Sequence, residues 1–533
     1  MINVGIDLGT NNCCITYIDI SGYPHIIKNK ISNEFIIPSI VYINNNIKLV
    51  GQIANNYDNK IYNFKRLIGH NINDNEIIEL QKQLTYKIEQ IDDQIMVITD
   101  AGSISLIEII STLLDWIKHM IEEEIKEEWE CIVTIPAYFN EIQRKLTLNA
   151  IHMSNLPCVK LINEPTSACM AYLFQNNLIN NIVETIDTTI LVFDFGAGTL
   201  DLTILRLDKQ EELICHVCGI YGDNNLGGID ITNVISKHLN INLTDAENIK
   251  LLLSNNNNTH DLLTYNDFVS LLNINFKDRI YNAIKEVLLC SKLDTVDEII
   301  MVGGSSKLPW VKLVVNDYFE KTFLKTQNSD ISINNEVFCF EDVAVSLGAA
   351  LHGNFINTNK DIILVDRIPL SIGIDTLGIM TTIIPRNSII PISITKQFTT
   401  EEDNQSSILI KILQGESRLS RENIEIGCYE MSNIKLCPKN VPVIYVTIKI
   451  NSNAIVEVFS KERRGDAFGH LQITNIKDNL TNDQIVLMIE KAEKTRSRDI
   501  AIQKLIESYH KLVNILQLLK FHMTLDSITD GIK

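Results

Sequence analysis

The sequence predicts a multidomain chain of α/β plus β class: a two-lobe α/β region, a β-sandwich and a short helical C-terminal segment. Three observations carry this. An apolar strand ending in an aspartate and a glycine turn occurs twice, in NVGIDLGTNNCCITYI (residues 3–18) and TTILVFDFGAGTLDLTIL (188–205), and such a duplication marks two related lobes. From Ser371 to about Asp478 the pattern changes to short alternating runs separated by turn residues, the mark of a sandwich. Beyond it, behind Thr481 as N-cap, TNDQIVLMIEKAEKTR and IQKLIESYHKLVNILQLLKF return apolar residues at three-to-four spacing, which predicts helix.

Length and composition fit this reading. A chain of 533 residues accommodates about three domains, each with a core. The net charge is −19 and no Lys/Arg block stands out, which argues against nucleic acid or an anionic membrane surface as partner. No apolar run reaches membrane-spanning length and MINVGIDLGT enters a strand directly, so a cytoplasmic protein is expected. The eleven cysteines are scattered, several in apolar runs (Cys131, Cys169, Cys290), as reduced core residues are. Cys215 and Cys218 form a CxxC, but strand alternation in ELICHVCGIYG puts them on opposite faces, and no second Cys/His pair completes a metal site.

The repeated turns suggest phosphate chemistry. Gly9, Gly196 and Gly198 let the backbone approach an anion, and Thr10 and Thr199 add hydroxyl donors. Asp7 and Asp194 end the strands where a hydrated Mg2+ would bridge phosphates. One copy alone is better explained as an ordinary hairpin with turn residues; two copies make a clamp. A third turn, IIMVGGSSKLPW (299–310), ends a buried strand in Gly303-Gly304 with Ser305 as N-cap, and suits a base or ribose pocket.

Between and after these turns come NFKRLIGH (63–70), CIVTIPAYFNEIQRK (131–145), LINEPTSACMAY (161–172), YGDNNLGGID (221–230), VAVSLGAALHG (343–353) and DIILVDRIPLSIGID (361–375). Through this ordered set the chain resembles the heat-shock protein 70 family of ATP-driven chaperones along nearly its whole length. The resemblance implies an actin-like ATPase domain at 1–357, a linker at 358–370, a β-sandwich peptide-binding domain at 371–478 and a truncated helical lid at 479–533. It implies ATP and ADP as ligands, Mg2+ as cofactor, a J-domain cochaperone and apolar peptide segments as clients.

Residue by residue, the resemblance makes Lys65 the catalytic lysine near the γ-phosphate. Glu164 in NEPT, with Asp7 and Asp194, would hold Mg2+ through water, and Asp201 is a third active-site aspartate. Thr10 and Thr199 contact phosphate, and Gly227 and Gly228 belong to the same surface. Glu247, Lys250, Ser254, Ser305, Lys307 and Asp342 match the nucleoside side, with Gly303 and Gly304. Four positions depart from the family: Asn11 for threonine, Ala197 for glycine, and Leu251 and Lys307 for arginines. Lost guanidinium stacking should weaken base contact, and with Asn11 and Ala197 departing in the phosphate turns slow turnover or weakened ATP affinity is expected. The compressed segment 231–263 argues against a dedicated exchange factor. A catalytically weakened ATP- and peptide-binding protein, and a small-molecule kinase of the same fold, are the other readings.

For coupling, Pro136 and Arg144 match residues that relay nucleotide state, and the apolar tetrad ending in Leu364 and Val365, before Asp366, matches the linker. Such a tetrad can add a strand to a sheet edge or dock in a groove when ATP is bound. In the sandwich, Ile374, Thr376, Leu377, Phe398, Thr399, Ile408 and Ile410 match peptide-contacting positions; the apolar ones equally suit a core. Glu401 stands where the family has an apolar residue beside Leu377, which points to basic clients. The segment 383–417, with IPRN, FTT-x-x-DNQ and LQGES, resembles HscA, the iron-sulfur assembly chaperone, more than general DnaK, implying an iron-sulfur scaffold protein as client.

Overall fold

The computed structural model describes residues 1–472 except 30–31, 45–46, 83, 92–93, 101, 138, 140, 177–185, 210–212, 224–225, 255–259, 320–329, 334–335, 359–361, 369, 387 and 452–455, together with Leu512, Ile515 and Leu516. The expected lid at 479–533 lies almost wholly outside the described residues. Contacts divide the chain into two units, Met1–Asp366 and Arg367–Lys533.

The first unit is built on two sheets of one plan. In the first, Ile2–Leu8 pairs antiparallel with Asn12–Ile18, setting Asp7 opposite Cys14, and parallel with Trp129–Ile135; Cys158–Asn163 extends it at the far edge. In the second, Ile186–Phe195 pairs antiparallel with Leu200–Lys209, setting Asp194 opposite Asp201, and parallel with Glu298–Val302. Each central strand is covered on both faces: Ile2–Leu8 is buried along nearly its whole length, and Ile190–Phe193 reads as a continuous apolar run.

Three cores follow from this plan. One lies outside the first sheet, beneath helix Leu106–Glu124, whose Ser105 N-cap accepts a bond from the Glu108 amide. A second lies outside the second sheet. The third is shared between the sheets, joining Cys14 and Ile18 to Val192 and Ile300 through helices Glu164–Gln175 and Phe340–Thr358. Those helices touch backbone to backbone at Gly348: a Cβ there would fall 1.7 Å from the Ser167 carbonyl oxygen. Cys215 packs into the shared core and Cys218 against the outer one, on opposite faces of strand Leu213–Asp223. Along that strand lies Ile362–Arg367, added in parallel with Cys215 opposite Leu364. Among the described residues no helix is long and apolar enough to cross a membrane.

The second unit carries two four-stranded antiparallel sheets, ordered Ile379–Ile384, Ile372–Thr376, Ser407–Gln414, Ile424–Ser432 and Ile392–Phe398, Ile444–Ile450, Val456–Glu462, Phe468–Gln472. Alternating burial along Ile444–Ile450 and Val456–Glu462 turns isoleucine and valine into a common core. The ladder between Ile372–Thr376 and Ser407–Gln414 runs only from Ile372↔Gln414 to Ile374↔Ile412; beyond it the strands part. The first strand then turns through Leu377 and Gly378 at φ 57 and 83, a two-residue hairpin of the left-handed kind that matches strand twist. For leucine that conformation costs about 1–2 kcal/mol.

Candidate functional site

Both hairpin turns open into one cavity of about 500 Å3, lined by Asp7, Gly9, Thr10, Asn11 and Lys65 from one side and Asp194, Gly196, Ala197, Gly198, Thr199 and Asp201 from the other. Glu164, Gly228, Gly303, Gly304, Ser305, Lys307 and Asp342 complete the wall, as do Glu247, Lys250 and Ser254. Of the residues expected to bind nucleotide, Gly227 alone is not on this wall. Its Cα packs against the turn instead, where a Cβ would meet the Ala197 carbonyl oxygen at 2.4 Å.

Lys65 and Glu164 meet inside this cavity. The strand Cys158–Asn163 delivers Glu164 at the start of a helix with Pro165 behind it. Lys65, in the short helical turn Phe64–Leu67, donates to Glu164 Oε1 at 2.8 Å and to the Leu8 carbonyl. Both are buried. A buried lysine needs such partners, and the Phe139 ring lies 5.6 Å from its Nζ.

The aspartates are held close enough to repel. Burial, and then the Glu164 carboxylate, push Asp7 up to about 7, against the pull of Lys65 and a 3.3 Å bond from Thr134 Oγ1. Burial first, then Glu164, Asp201 and Asp7, hold Asp194 well above the usual carboxylate range. Asp201 rises to about 8, chiefly by burial, although Thr199 Oγ1 donates to its Oδ2 at 2.8 Å; its Oδ1 is buried without a partner. Such a cluster lacks positive charge. Its donors are all oxygen, which suits Mg2+. Among the described residues no three Asp, Glu, His or Cys side chains converge as direct ligands; the carboxylates that share the cavity wall fit an ion that keeps its waters.

The nucleoside side is tied together by its own bonds. Lys250 Nζ donates to the Gly228 carbonyl and Thr232 Oγ1, each at 3.0 Å, and pairs with Glu247 at 2.8 Å. Ser305 Oγ donates to the Gly196 carbonyl at 2.8 Å, and Lys307 pairs with Asp342. Leu251 is 61% exposed at the cavity mouth. Ala197 has no positive φ, so its backbone does not require glycine, and its carbonyl accepts the Ile229 amide at 2.8 Å.

Pro136 lines the cavity, and the Phe139 amide donates to its carbonyl at 3.2 Å. Arg144 is buried, donating through Nε to the Phe139 carbonyl at 3.1 Å and through Nη2 to Asn163 Oδ1 at 2.9 Å. The residue before Glu164 is thus bonded to the segment that carries the Phe139 ring under Lys65. Thr134, Phe139 and Asn163 were not singled out from sequence; each stands inside a quoted motif, but nothing in residue type separates such supports from ordinary core. Leu364 and Asp366 lie in the added strand, away from the cavity wall.

In the second unit Ile374 and Ile410 are buried in the sandwich core, and Phe398 and Ile408 pack partly against it. Leu377 and Thr399 are exposed; Thr376 is half-buried, its hydroxyl 2.9 Å from that of Thr381. Glu401 is exposed, its amide donating to Gln405 Oε1 at 3.0 Å.

A family model described as Hsp70 protein matches residues 3–262 and 252–529. The chain is 30% identical over 587 residues to the heat shock protein 70 homolog of Acanthamoeba polyphaga mimivirus, covering 99% of this chain and 61% of that one. It is 31% identical over 569 residues to heat shock cognate 70 kDa protein 3 of Dictyostelium discoideum, covering 97% and 87%. To the chaperone protein DnaK of Stenotrophomonas maltophilia it is 30% identical over 576 residues, covering 99% and 86%. It thus spans about three-fifths of the first relative's length and most of the other two. With paired hairpin turns on one cavity and a match running through both units, the chain belongs to the heat-shock protein 70 family.

Proposed function

We propose that the chain is an ATP-hydrolysing chaperone in which nucleotide state governs the binding and release of short apolar peptide segments. The observation that carries it is the single cavity in which Lys65, Glu164 and three aspartates of raised pKa face two glycine turns. Phosphoryl transfer to water asks mainly for positioning and charge neutralisation; these residues supply the positioning, and Lys65 with a cation held by the carboxylates would supply the positive charge. When bound, Mg2+ neutralises charge on the phosphate oxygens; Asp7, Asp194 and Glu164 would hold it through water. Lys65, anchored by Glu164, aims its ammonium at the γ-phosphate and the attacking water. Thr199, tied to Asp201, orients the phosphate on the opposite turn.

Peptide binding is supported by the parting of Ile372–Thr376 from Ser407–Gln414, which leaves backbone for an extended segment. A J-domain cochaperone is the expected partner. The segment 383–417 favours an iron-sulfur scaffold as client over the general clients of DnaK-type relatives, and Glu401 favours basic residues in it. Purified chain should hydrolyse ATP in a Mg2+-dependent way, faster with an apolar peptide. Lys65→Ala should lower turnover by roughly 10²–10³-fold while nucleotide still binds. Phosphorylation of a small molecule, or turnover unaffected by Lys65→Ala, would count against the reading. A Thr199→Ala pull-down that retains general unfolded clients and no scaffold would favour the general role.

A further inference from the structure

The tip at Leu377-Gly378 is braced from outside by a second loop. Asp375 Oδ1 accepts from the Gly378 amide at 2.9 Å and from Ser420 Oγ at 2.6 Å, and the Ser420 amide donates to the Gly378 carbonyl at 3.0 Å. Just past the tip, the Met380 amide donates to the Arg418 carbonyl at 2.8 Å. The bracing loop is itself closed by Asn423. Its Nδ2 donates to the Ser417 and Leu419 carbonyls at 2.7 and 3.0 Å, its Oδ1 accepts from the Ser417 amide at 3.0 Å, and Leu419 is plugged into the interior.

These bonds fix the residues on either side of one that resists its conformation. Gly378 takes a positive φ freely; Leu377, at φ 57, does not. Nor does Leu377 recover the cost by burying itself, since it is 43% exposed. Strained backbone persists where its surroundings over-determine it, and such places gather at ligand clamps. An aliphatic side chain held out in solvent at the hairpin tip, beyond the point where two strands part, is a contact prepared before its ligand arrives.

We propose that Asp375 and Ser420 are positioning residues: they lock Leu377 in its left-handed conformation so that it grips an apolar residue of a bound extended peptide. This rests on the peptide-binding reading above. Without the brace the tip relaxes toward ordinary backbone angles, Leu377 turns away and the peptide leaves sooner.

The test is the dissociation rate of a fluorescein-labelled nine-residue peptide, two central leucines flanked by serine, glycine and lysine, from the full chain with ADP. Asp375→Ala should speed release roughly tenfold, as loss of about one hydrogen-bonded contact does. Ser420→Ala, which keeps its amide bond, should speed it less, and Asp375→Asn, which keeps an acceptor oxygen, should restore the slow rate. Peptide-free ATP turnover should not change. Because Asp375 acts through Leu377, Asp375→Ala should add almost nothing in a Leu377→Ala background, a coupling that general destabilisation would not produce. Additive effects there, or release within roughly twofold of the unmutated rate in both brace variants, overturn the inference. A wild-type chain that binds no peptide overturns the peptide reading and this inference with it, visible before any variant is made. Should Asp375→Ala fail to fold, Ser420→Ala, alone and in the Leu377→Ala background, carries the same comparison, with Asp375→Asn as the slow-release control.

Discussion

Gly303 ends its strand at φ 81, with Asp194 Oδ1 and the Phe195 carbonyl oxygen each 2.6 Å from where a Cβ would be. Both the backbone and the space demand glycine, so Gly303→Ala should destabilise the first unit by at least about 1 kcal/mol and displace Asp194. Thermal unfolding and nucleotide titration read the two effects separately. At this scale the sequence was legible where residue type carries the chemistry. Asp7, Lys65, Glu164, Asp194, Thr199 and Asp201 stand on one cavity wall, separated by as much as 194 positions in the chain. At Ala197 residue type did not give the backbone: the position where the family has glycine shows no positive φ, and its carbonyl accepts the Ile229 amide. A backbone angle is not written in a residue's name.

At the scale of elements, two contacts are exposed to simple tests. The crossing of Glu164–Gln175 and Phe340–Thr358 depends on Gly348, since a Cβ there would collide with the Ser167 carbonyl. Gly348→Ala should therefore cost about 1–3 kcal/mol and loosen the helix that begins at Glu164; hydrogen exchange along 164–175 would report it. The added strand Ile362–Arg367 is held to Leu213–Asp223 by backbone pairing. Leu364→Pro and Val365→Pro each remove an amide from that register. Between them they should abolish peptide stimulation of ATP turnover and leave basal turnover and peptide affinity little changed. Stimulation that survives both would mean the coupling does not run through this strand. The tetrad's capacity to add a strand followed from its β-branched, apolar character; which edge receives it did not, because edges exist only once a sheet has formed.

For the whole molecule, the acidic cluster makes a prediction about pH. Asp7 and Asp201 rise from 3.8 to about 7 and about 8, so the folded state binds more protons than the unfolded chain between those values. Stability of the nucleotide-free protein therefore falls as pH rises through that window. Glu164, Asp194 and Asp342 face Asp7 and oppose its ionisation, while Lys65 favours it. The melting temperature without nucleotide should be higher at about pH 5.5 than at about pH 8, and saturating Mg2+ and ADP should narrow the gap by supplying positive charge. Removing the divalent cation with a chelator should restore it. A gap that persists with Mg2+ and ADP bound would place the titration elsewhere. Taken by itself, the sequence determined the duplication, the change from α/β to sandwich and the carboxylates of the site, because strand period, glycine turns and charge are local properties of the chain. Only the tertiary structure decided that Asp7 and Asp201 ionise late, that Arg144 and Asn163 stand behind Glu164, and that Ser420 braces Leu377 from 43 residues away. Those outcomes depend on burial and on contacts between distant segments, which come into being only when the chain closes on itself.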